Sequence, residues 1–246
     1  IFRTREFEQM EIEFFCKEED QEQWFNFWIN KRLEWYKSLG IPEDKLRIRT
    51  HEENELAHYA SKTSDIEFMY PWGWGELEGI ANRGTFDLTS HERESGKDLT
   101  YFDPESNEKI HPVVIEPAGG LTRTLFAILC SNYDEDTVND TTRTLFRFNF
   151  EIAPIQIAIL PLSKKDNLIN ISKEIKTKLQ KSFRTEIDIT QSIGKRYRRQ
   201  DEIGTPYCIT VDFETIDDDS VTIRNRDNMN QERVKINKLH DYFENI

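Results

Sequence analysis

Residues 2–16 alternate for most of their length. Phe2, Met10, Ile12 and Phe14 share one parity, and Arg3, Arg5, Phe7, Gln9, Glu11 and Glu13 share the other. A strand with this pattern turns an apolar face to a core and displays a row of arginines, one aromatic and acids on its other side. That row is too ordered for a plain edge strand. From about 19 to 39 the apolar spacing becomes helical, with Trp24, Trp28, Leu33, Trp35, Tyr36 and Leu39 on broad stripes and Gly40 placed as a C-cap before Pro42. Strands are predicted over 45–50 and 65–70, with a helix between them over "EENELAHYA". Glycines then interrupt an aromatic and acidic strand in "PWGWGELEGIANRGTFDL", 71–88. In "VVIEPAGGLTRTL", 113–125, a strand over 113–116 leads into a helix over 121–133.

The texture shifts around Ala153-Pro154. "IQIAILPL" is a buried-strand pattern, an amphipathic helix follows over 168–182, and strands recur near 184–189, 207–214 and 220–225. This succession describes a small α/β unit. A domain boundary is therefore expected at 150–153, dividing the chain into 1–152 and 153–246. No internal repeat or low-complexity tract is evident.

A length of 246 residues accommodates two ordinary domains, and 37% hydrophobic content with 12% aromatics argues against disorder. No apolar run approaches the ~20 residues that cross a bilayer, so a soluble protein is expected, with no membrane partner. No signal-peptide pattern opens the sequence. Three cysteines, Cys16, Cys130 and Cys208, with no CxxC pair suit a reducing, cytoplasmic location and give no reason to expect zinc. The net charge of −13 at pH 7 would oppose a nucleic-acid partner if it were spread evenly. It is not: "GKRYRRQ", 194–200, packs four cations around Tyr197.

Candidate chemistry begins at Glu116. A strand that served only as core should not carry a carboxylate there, because burying one unpaired costs several kcal/mol or neutralises it. A cation is expected to meet it. Gly119 and Gly120 permit unusual backbone angles and close approach of a ligand. In the first strand Phe7 and Glu11 are roughly 13 Å apart at ~3.3 Å per residue, about the reach of an aminoacyl-adenylate from adenine to amino group. An aromatic for stacking, arginines for phosphate and carboxylates for an ammonium group occur in the order such a ligand needs.

Six blocks, "FRTREFEQMEIEFF", "ELAHYASKTSDIEF", "GWGELEGIANRGTFDL", "VIEPAGGLTRTL", "APIQIAILPL" and "SIGKRYRRQDEIGTPYCITVDFET", together resemble glycyl-tRNA synthetase of the homodimeric class II type, from Phe2 to about residue 240. The resemblance implies an α+β catalytic core, the antiparallel class II sheet with flanking helices, over 1–152. A smaller α/β anticodon-binding domain over 153–246 would follow. It implies ATP-dependent activation of glycine and transfer to the 3' end of tRNA-Gly, with ATP and magnesium as cofactors and a homodimer as the assembly. Carried over residue by residue, Arg3 and Arg5 would sit by the ATP phosphates, Phe7 would stack on adenine and Arg123 would cover its other face. Glu11 and Glu116 would hold the glycine ammonium. Glu76 matches the position that holds ATP-bound magnesium, and Arg83 the one that contacts the glycine carboxylate or the α-phosphate. Glu76 and Arg83 are thus the catalytic candidates. Lys195, Arg196, Arg198 and Arg199 are the candidate tRNA contacts, some of them expected to pair with Asp201 and Glu202.

Two departures from the family pattern are visible. Ala118 stands where the family usually has Ser. The sequence also begins inside motif 2, so motif 1, with its Phe-Arg-x-Glu strand, and a further glycine-recognising acid are expected upstream of Ile1. Two other readings compete: a non-catalytic relative such as a mitochondrial polymerase accessory subunit, and a tRNA-binding fragment whose competent part is 153–246. The first should have lost its substrate residues, yet Glu76, Arg83, Glu116 and Arg123 are all present.

Overall fold

The computed structural model describes residues 4–138 and 140–246, and Arg3 lies outside them. The chain forms two compact units, 1–131 and 132–246. The first contains β1 (Gln9–Glu11), β2 (Phe14–Cys16), α1 (Gln21–Ser38), β3 (Leu46–Thr50), β4 (Lys62–Tyr70), β5 (Gly73–Gly84), α2 (Phe86–Ser95), β6 (Tyr101–Asp103), β7 (Glu108–Ile110), β8 (Val113–Gly120) and α3 (Leu121–Asn132). Its main sheet runs in the order β1-β8-β5-β4-β3, with β2 also on β8, and every pairing is antiparallel. The opening alternation appears as two short strands rather than one. Gly40, at φ 84°, takes the left-handed position just beyond α1 that a side chain would resist.

Helix α1 covers one face of this sheet. Phe25, Ile29 and Tyr36 are buried there with Ile66, Phe68, Ile80 and Ile115, and Trp24 and Trp28 close the edge against Phe14. Two irregularities re-aim side chains on β5. The register with β4 passes from Ile66 opposite Glu78 to Glu67 opposite Glu76, leaving Leu77 as the extra residue; that with β8 slips between Asn82 and Gly84, leaving Arg83 as the extra residue. A bulge of this kind turns the side chains beyond it to the other face. Glu78 consequently faces α1 whereas Glu76 faces away. The expected helix over "EENELAHYA" is only a turn at Glu53–Glu55, closed by reciprocal hydrogen bonds between Glu52 and Glu55. Its few apolar residues could not line a helical face, and Tyr59 instead lies 4.1 Å from the guanidinium carbon of Arg83.

The second unit contains β9 (Tyr133–Val138), β10 (Thr141–Phe146), β11 (Ile157–Pro161), α4 (Asp166–Leu179), β12 (Thr185–Ile187), α5 (Ile193–Glu202), β13 (Tyr207–Val211), α6 (Thr215–Asp218), β14 (Ser220–Asn225), β15 (Gln231–Lys235) and α7 (Leu239–Glu244). Its sheet runs β12-β11-β13-β14-β15; β11 lies parallel to both neighbours, and the remaining pairs are antiparallel. Strand β11 is covered on both faces. Ile157 and Ile159 pack with Leu168, Ile175 and Leu179 of α4, while Ala158 and Leu160 pack with Ile193 and Tyr197 of α5. This double burial is what "IQIAILPL" encodes.

The β9–β10 hairpin belongs to this second unit, so the division falls upstream of the expected 150–153 boundary. Buried charge explains why. Arg143 of β10 pairs with Asp136 across the hairpin, at 2.8 Å from its Nε, and donates through Nη1 to Asp201 of α5 at 3.1 Å and to the Arg226 carbonyl at 2.8 Å. Asp201 also accepts from Arg224 at 2.8 and 3.0 Å. All three side chains of the Arg143–Asp201–Arg224 group are almost completely enclosed. Replacing Asp201 by Asn removes the anion that Arg224 pairs with and leaves Arg143 with Asp136 as its remaining carboxylate. We expect Asp201→Asn to cost about 3–5 kcal/mol, measured as a lower urea midpoint by far-UV circular dichroism; an unshifted midpoint would show the cluster to be energetically idle.

Candidate functional site

On the face of the first sheet that α1 covers, a buried carboxylate is fully partnered. Glu78, 1% exposed, accepts from Arg32 Nε at 2.6 Å, Arg32 Nη2 at 2.8 Å and the Tyr36 hydroxyl at 2.6 Å. Arg32 and Tyr36 are one turn apart on α1, so a single helix face supplies all three donors. Burial and the Glu78 carboxylate push the Tyr36 phenol up. Gly119 is part of this packing: a Cβ there would stand 2.9 Å from Glu78 Oε2 and 3.2 Å from the Tyr36 hydroxyl. Its lack of a side chain therefore serves the covered face and not a ligand. Gly120 differs, since a Cβ there would meet the stem of Arg123 at 3.5 Å.

The opposite face carries the candidate site. Glu116 and Ala118 of β8 lie opposite Ala81 and Gly79 of β5, and Glu11 of β1 lies opposite Ala118. Glu11 and Glu116 thus rise from one face, on adjacent strands, around a floor of small residues. Arg83, aimed by its bulge, donates from Nη1 to Glu116 Oε2 at 2.8 Å and holds Asp87 through Nε and Nη2 at 2.5 and 3.0 Å. The cation expected at Glu116 is, in this structure, Arg83. Its hydrogen bonds to Asp87 hold the Asp87 carboxyl below its ordinary range. Desolvation first, then the neighbouring Glu116, raise the Glu13 carboxyl to about 7. Asp65 continues the floor, with Oδ1 3.6 Å from where a Gly79 Cβ would be and Oδ2 2.8 Å from His51 Nε2.

Toward the α3 end, Arg123 Nη1 lies 3.0 Å from Glu76 Oε2 and 3.1 Å from the Glu76 carbonyl. The Glu76 carboxylate stays half exposed, and Oε1 points toward Gly79, 3.9 Å from its Cβ position. Phe7 is 64% exposed ahead of β1, and Arg5 is exposed beside it. Glu11, Glu76, Arg83, Glu116 and Arg123 are therefore brought to one face. Glu13, placed in the polar row of the first strand but given no role, joins them, and so does Asp65, which was not singled out. Parity with Glu11 was a usable signal for Glu13, whereas Asp65 offered none beyond an acid in a strand.

The basic segment requires a correction. Arg196 is 3% exposed and donates to the Pro161 and Asp188 carbonyls at 2.7 and 3.0 Å, so it braces α5 against β11 and is not a surface contact. Arg199 grips Asp188, at 3.0 Å from its Nε. The partners are Asp188 and carbonyls, not Asp201 or Glu202, because Asp201 is committed to Arg143 and Arg224. Lys195 stays exposed, and Arg198 is half buried with Nη1 enclosed. Elsewhere in this unit a concavity of about 730 Å³ is lined by Phe150, Phe183, Tyr207, Asn225 and Phe243 among others. His240, Asp241 and Glu244 bring possible ligand atoms within 4.8 Å of one another, but on the exposed face of α7. No helix among the described residues is long and apolar enough to cross a membrane.

An antiparallel sheet with a carboxylate-lined face, joined to a mixed α/β unit, is the arrangement of a class II aminoacyl-tRNA synthetase. Residues 1–132 match the tRNA synthetase class II core domain (G, H, P, S and T), and 156–246 match the anticodon binding domain. The chain belongs to that class II family. It is 53% identical over 245 residues to a glycine–tRNA ligase of Ruminiclostridium cellulolyticum, covering 99% of this chain and 53% of that protein. It is 51% identical over 244 residues to a glycine–tRNA ligase of Lachnoclostridium phytofermentans, covering 99% and 52%. The chain thus spans about half the length of the curated relatives it matches. A prolyl-tRNA synthetase of Cryptosporidium parvum, solved with L-proline and AMP, shares the fold with a TM-score of 0.73 at 19% identity, over 99% of this chain and 50% of that one.

The Gly119 packing generates a test. We expect Gly119→Ala to displace the Glu78 carboxylate and cost about 1–3 kcal/mol. All five tryptophans lie in the first unit, so fluorescence-detected urea denaturation reads the effect there, and an unchanged midpoint would show that the contact yields without cost.

Proposed function

We propose that this chain is the activating and anticodon-binding part of a glycine–tRNA ligase, which converts glycine and ATP to glycyl-adenylate and pyrophosphate and passes the glycyl group to the 3' end of tRNA-Gly, releasing AMP. The observation that carries this reading is the convergence of Glu11, Glu13 and Glu116 with Arg83 over the Gly79–Ala118 floor. Excess carboxylate beside one guanidinium suits a ligand with an ammonium group next to a carboxylate, and the relatives named above activate that amino acid by name.

In this reading Glu11 and Glu116 take the ammonium group. Arg83 uses three of its five N–H donors on Asp87 and Glu116, which leaves two for the glycine carboxylate or the α-phosphate. Phe7 and Arg123 take the two faces of adenine in this reading, and Arg5 and Arg3 serve the phosphates. Glu76 is the magnesium candidate: its half-exposed carboxylate is a hard oxygen donor, which suits that ion. Magnesium would neutralise charge on the ATP phosphates. The chemistry needs no side-chain nucleophile, since the glycine carboxylate attacks the α-phosphate while fixed groups position it and offset charge. Ala118 lacks the hydroxyl usual in the family, leaving ammonium capture to the carboxylates. Glycine is selected by exclusion, because every competitor is larger.

For tRNA, Lys195 and Arg198 are the cations of α5 not consumed by the fold. The aromatic and amide lining of the 730 Å³ concavity offers what unstacked bases use, a stacking surface and hydrogen-bonding edges. A homodimer and a cytoplasmic location complete the proposal.

Glycine-dependent ATP–pyrophosphate exchange by the full-length protein tests the reading. We expect Glu116→Ala to abolish exchange while the circular dichroism spectrum stays unchanged; retained exchange would refute the assignment of Glu116. Arg198→Ala should weaken tRNA charging and lower the salt dependence of tRNA binding while sparing exchange, whereas equal loss of both steps would mark Arg198 as structural.

A further inference from the structure

Four carboxylates, Glu11, Glu13, Glu116 and Asp87, gather at the Arg83 end of the open face, so negative charge is in excess there. We propose that Glu13 and Glu116 hold one proton between them in the ligand-free site and that the glycine ammonium group displaces it, making Glu13 a positioning residue that acts through Glu116. The proposal rests on the glycine reading above and deepens it.

The register is the first support. Glu11 lies opposite Ala118 on β1 and Phe14 opposite Ile115 on β2, so the intervening count sets Glu13 directly across from Glu116. Facing side chains in an antiparallel pair have Cβ atoms ~4.5–5.5 Å apart, and like charges there repel. Arg83 reaches only Glu116 of the facing pair, so the repulsion is relieved most simply by a proton held between the two carboxyl groups. Two ionised carboxylates have only acceptors, so a hydrogen bond between them requires a proton.

The surroundings favour keeping it. From β1, Glu11 adds a third negative charge; from β5, Arg83 opposes the effect, but α2 takes part of its charge through Asp87. His58 and His91 bear on Asp87, and the Tyr59 ring lies against Arg83. Together these leave the Glu13 carboxyl raised to about 7. When an ammonium group enters, its N–H donors replace the shared proton: the carboxyl O–H bond breaks, water or buffer takes the proton, and both carboxylates are left ionised against the ammonium group. The sign follows directly. Below about pH 7 the proton must be expelled for glycine to bind, so affinity rises about tenfold per pH unit up to that point and then levels off.

The test uses the full-length protein with ¹³C-labelled glutamate carboxyls. In the absence of glycine, one signal should titrate near neutrality and vanish in both Glu13→Gln and Glu116→Gln. If every glutamate titrates below about pH 5, no proton is shared and the proposal fails. Calorimetry with glycine in two buffers of different ionisation enthalpy should then show release of close to one proton at pH 6, and none from Glu13→Gln, whose amide can hydrogen-bond Glu116 permanently. Glycine binding without proton release would overturn the displacement. Absence of any glycine binding, with the neutral titration intact, would overturn the glycine reading and leave the shared proton established.

Discussion

The first unit depends on the enclosure of Glu78. A carboxylate 1% exposed inside a hydrophobic layer would cost several kcal/mol alone. Arg32 and Tyr36 offset that cost, and both come from α1. The helix is thereby tied to β5 by charge as well as by the packing of Phe25 and Ile29, and β8 can approach only because Gly119 has no side chain. Everything on the far side of the sheet is presented by strands whose spacing this contact sets.

That far side behaves in the opposite way. On the covered face Glu78 has its partners, Arg32 and Tyr36, within the unit. On the open face Arg83 is divided between Asp87 and Glu116, and Glu11 and Glu13 add negative charge that Arg83 offsets only in part. An excess of one sign held by rigid strands is a preorganised site for the other sign. The same sheet thus separates a self-sufficient face from one that a ligand completes.

In the second unit arginine serves mainly as structure. Arg143, Arg196, Arg224 and Arg226 are all buried, each hydrogen-bonded to carboxylates or backbone carbonyls. Arg suits this role because its planar fork can serve several acceptors at once while staying charged. A cluster of cations in the sequence is therefore a poor guide to a binding surface here: in "GKRYRRQ" two of the four hold α5 in place.

Much of this was legible beforehand. The strong period-2 and helical runs located α1, α4, β8, β11 and β14 because apolar periodicity reports burial directly. The six sequence blocks resembling one family placed Glu11, Glu76, Arg83, Glu116 and Arg123 together, and the structure gathers them on one face. The hairpin 133–146 escaped notice because its residues alternate weakly and its anchor is a buried Arg143, which reads as polar. By itself the sequence determined which segments bury apolar surface and which residue types are available for chemistry. Only the tertiary structure decided that Glu76 and Glu78, two positions apart, face opposite ways, since Leu77 is the extra residue of a bulge whose existence depends on the register with β4. The fates of Glu13 and Arg196 were decided likewise, by what stands across from them in space.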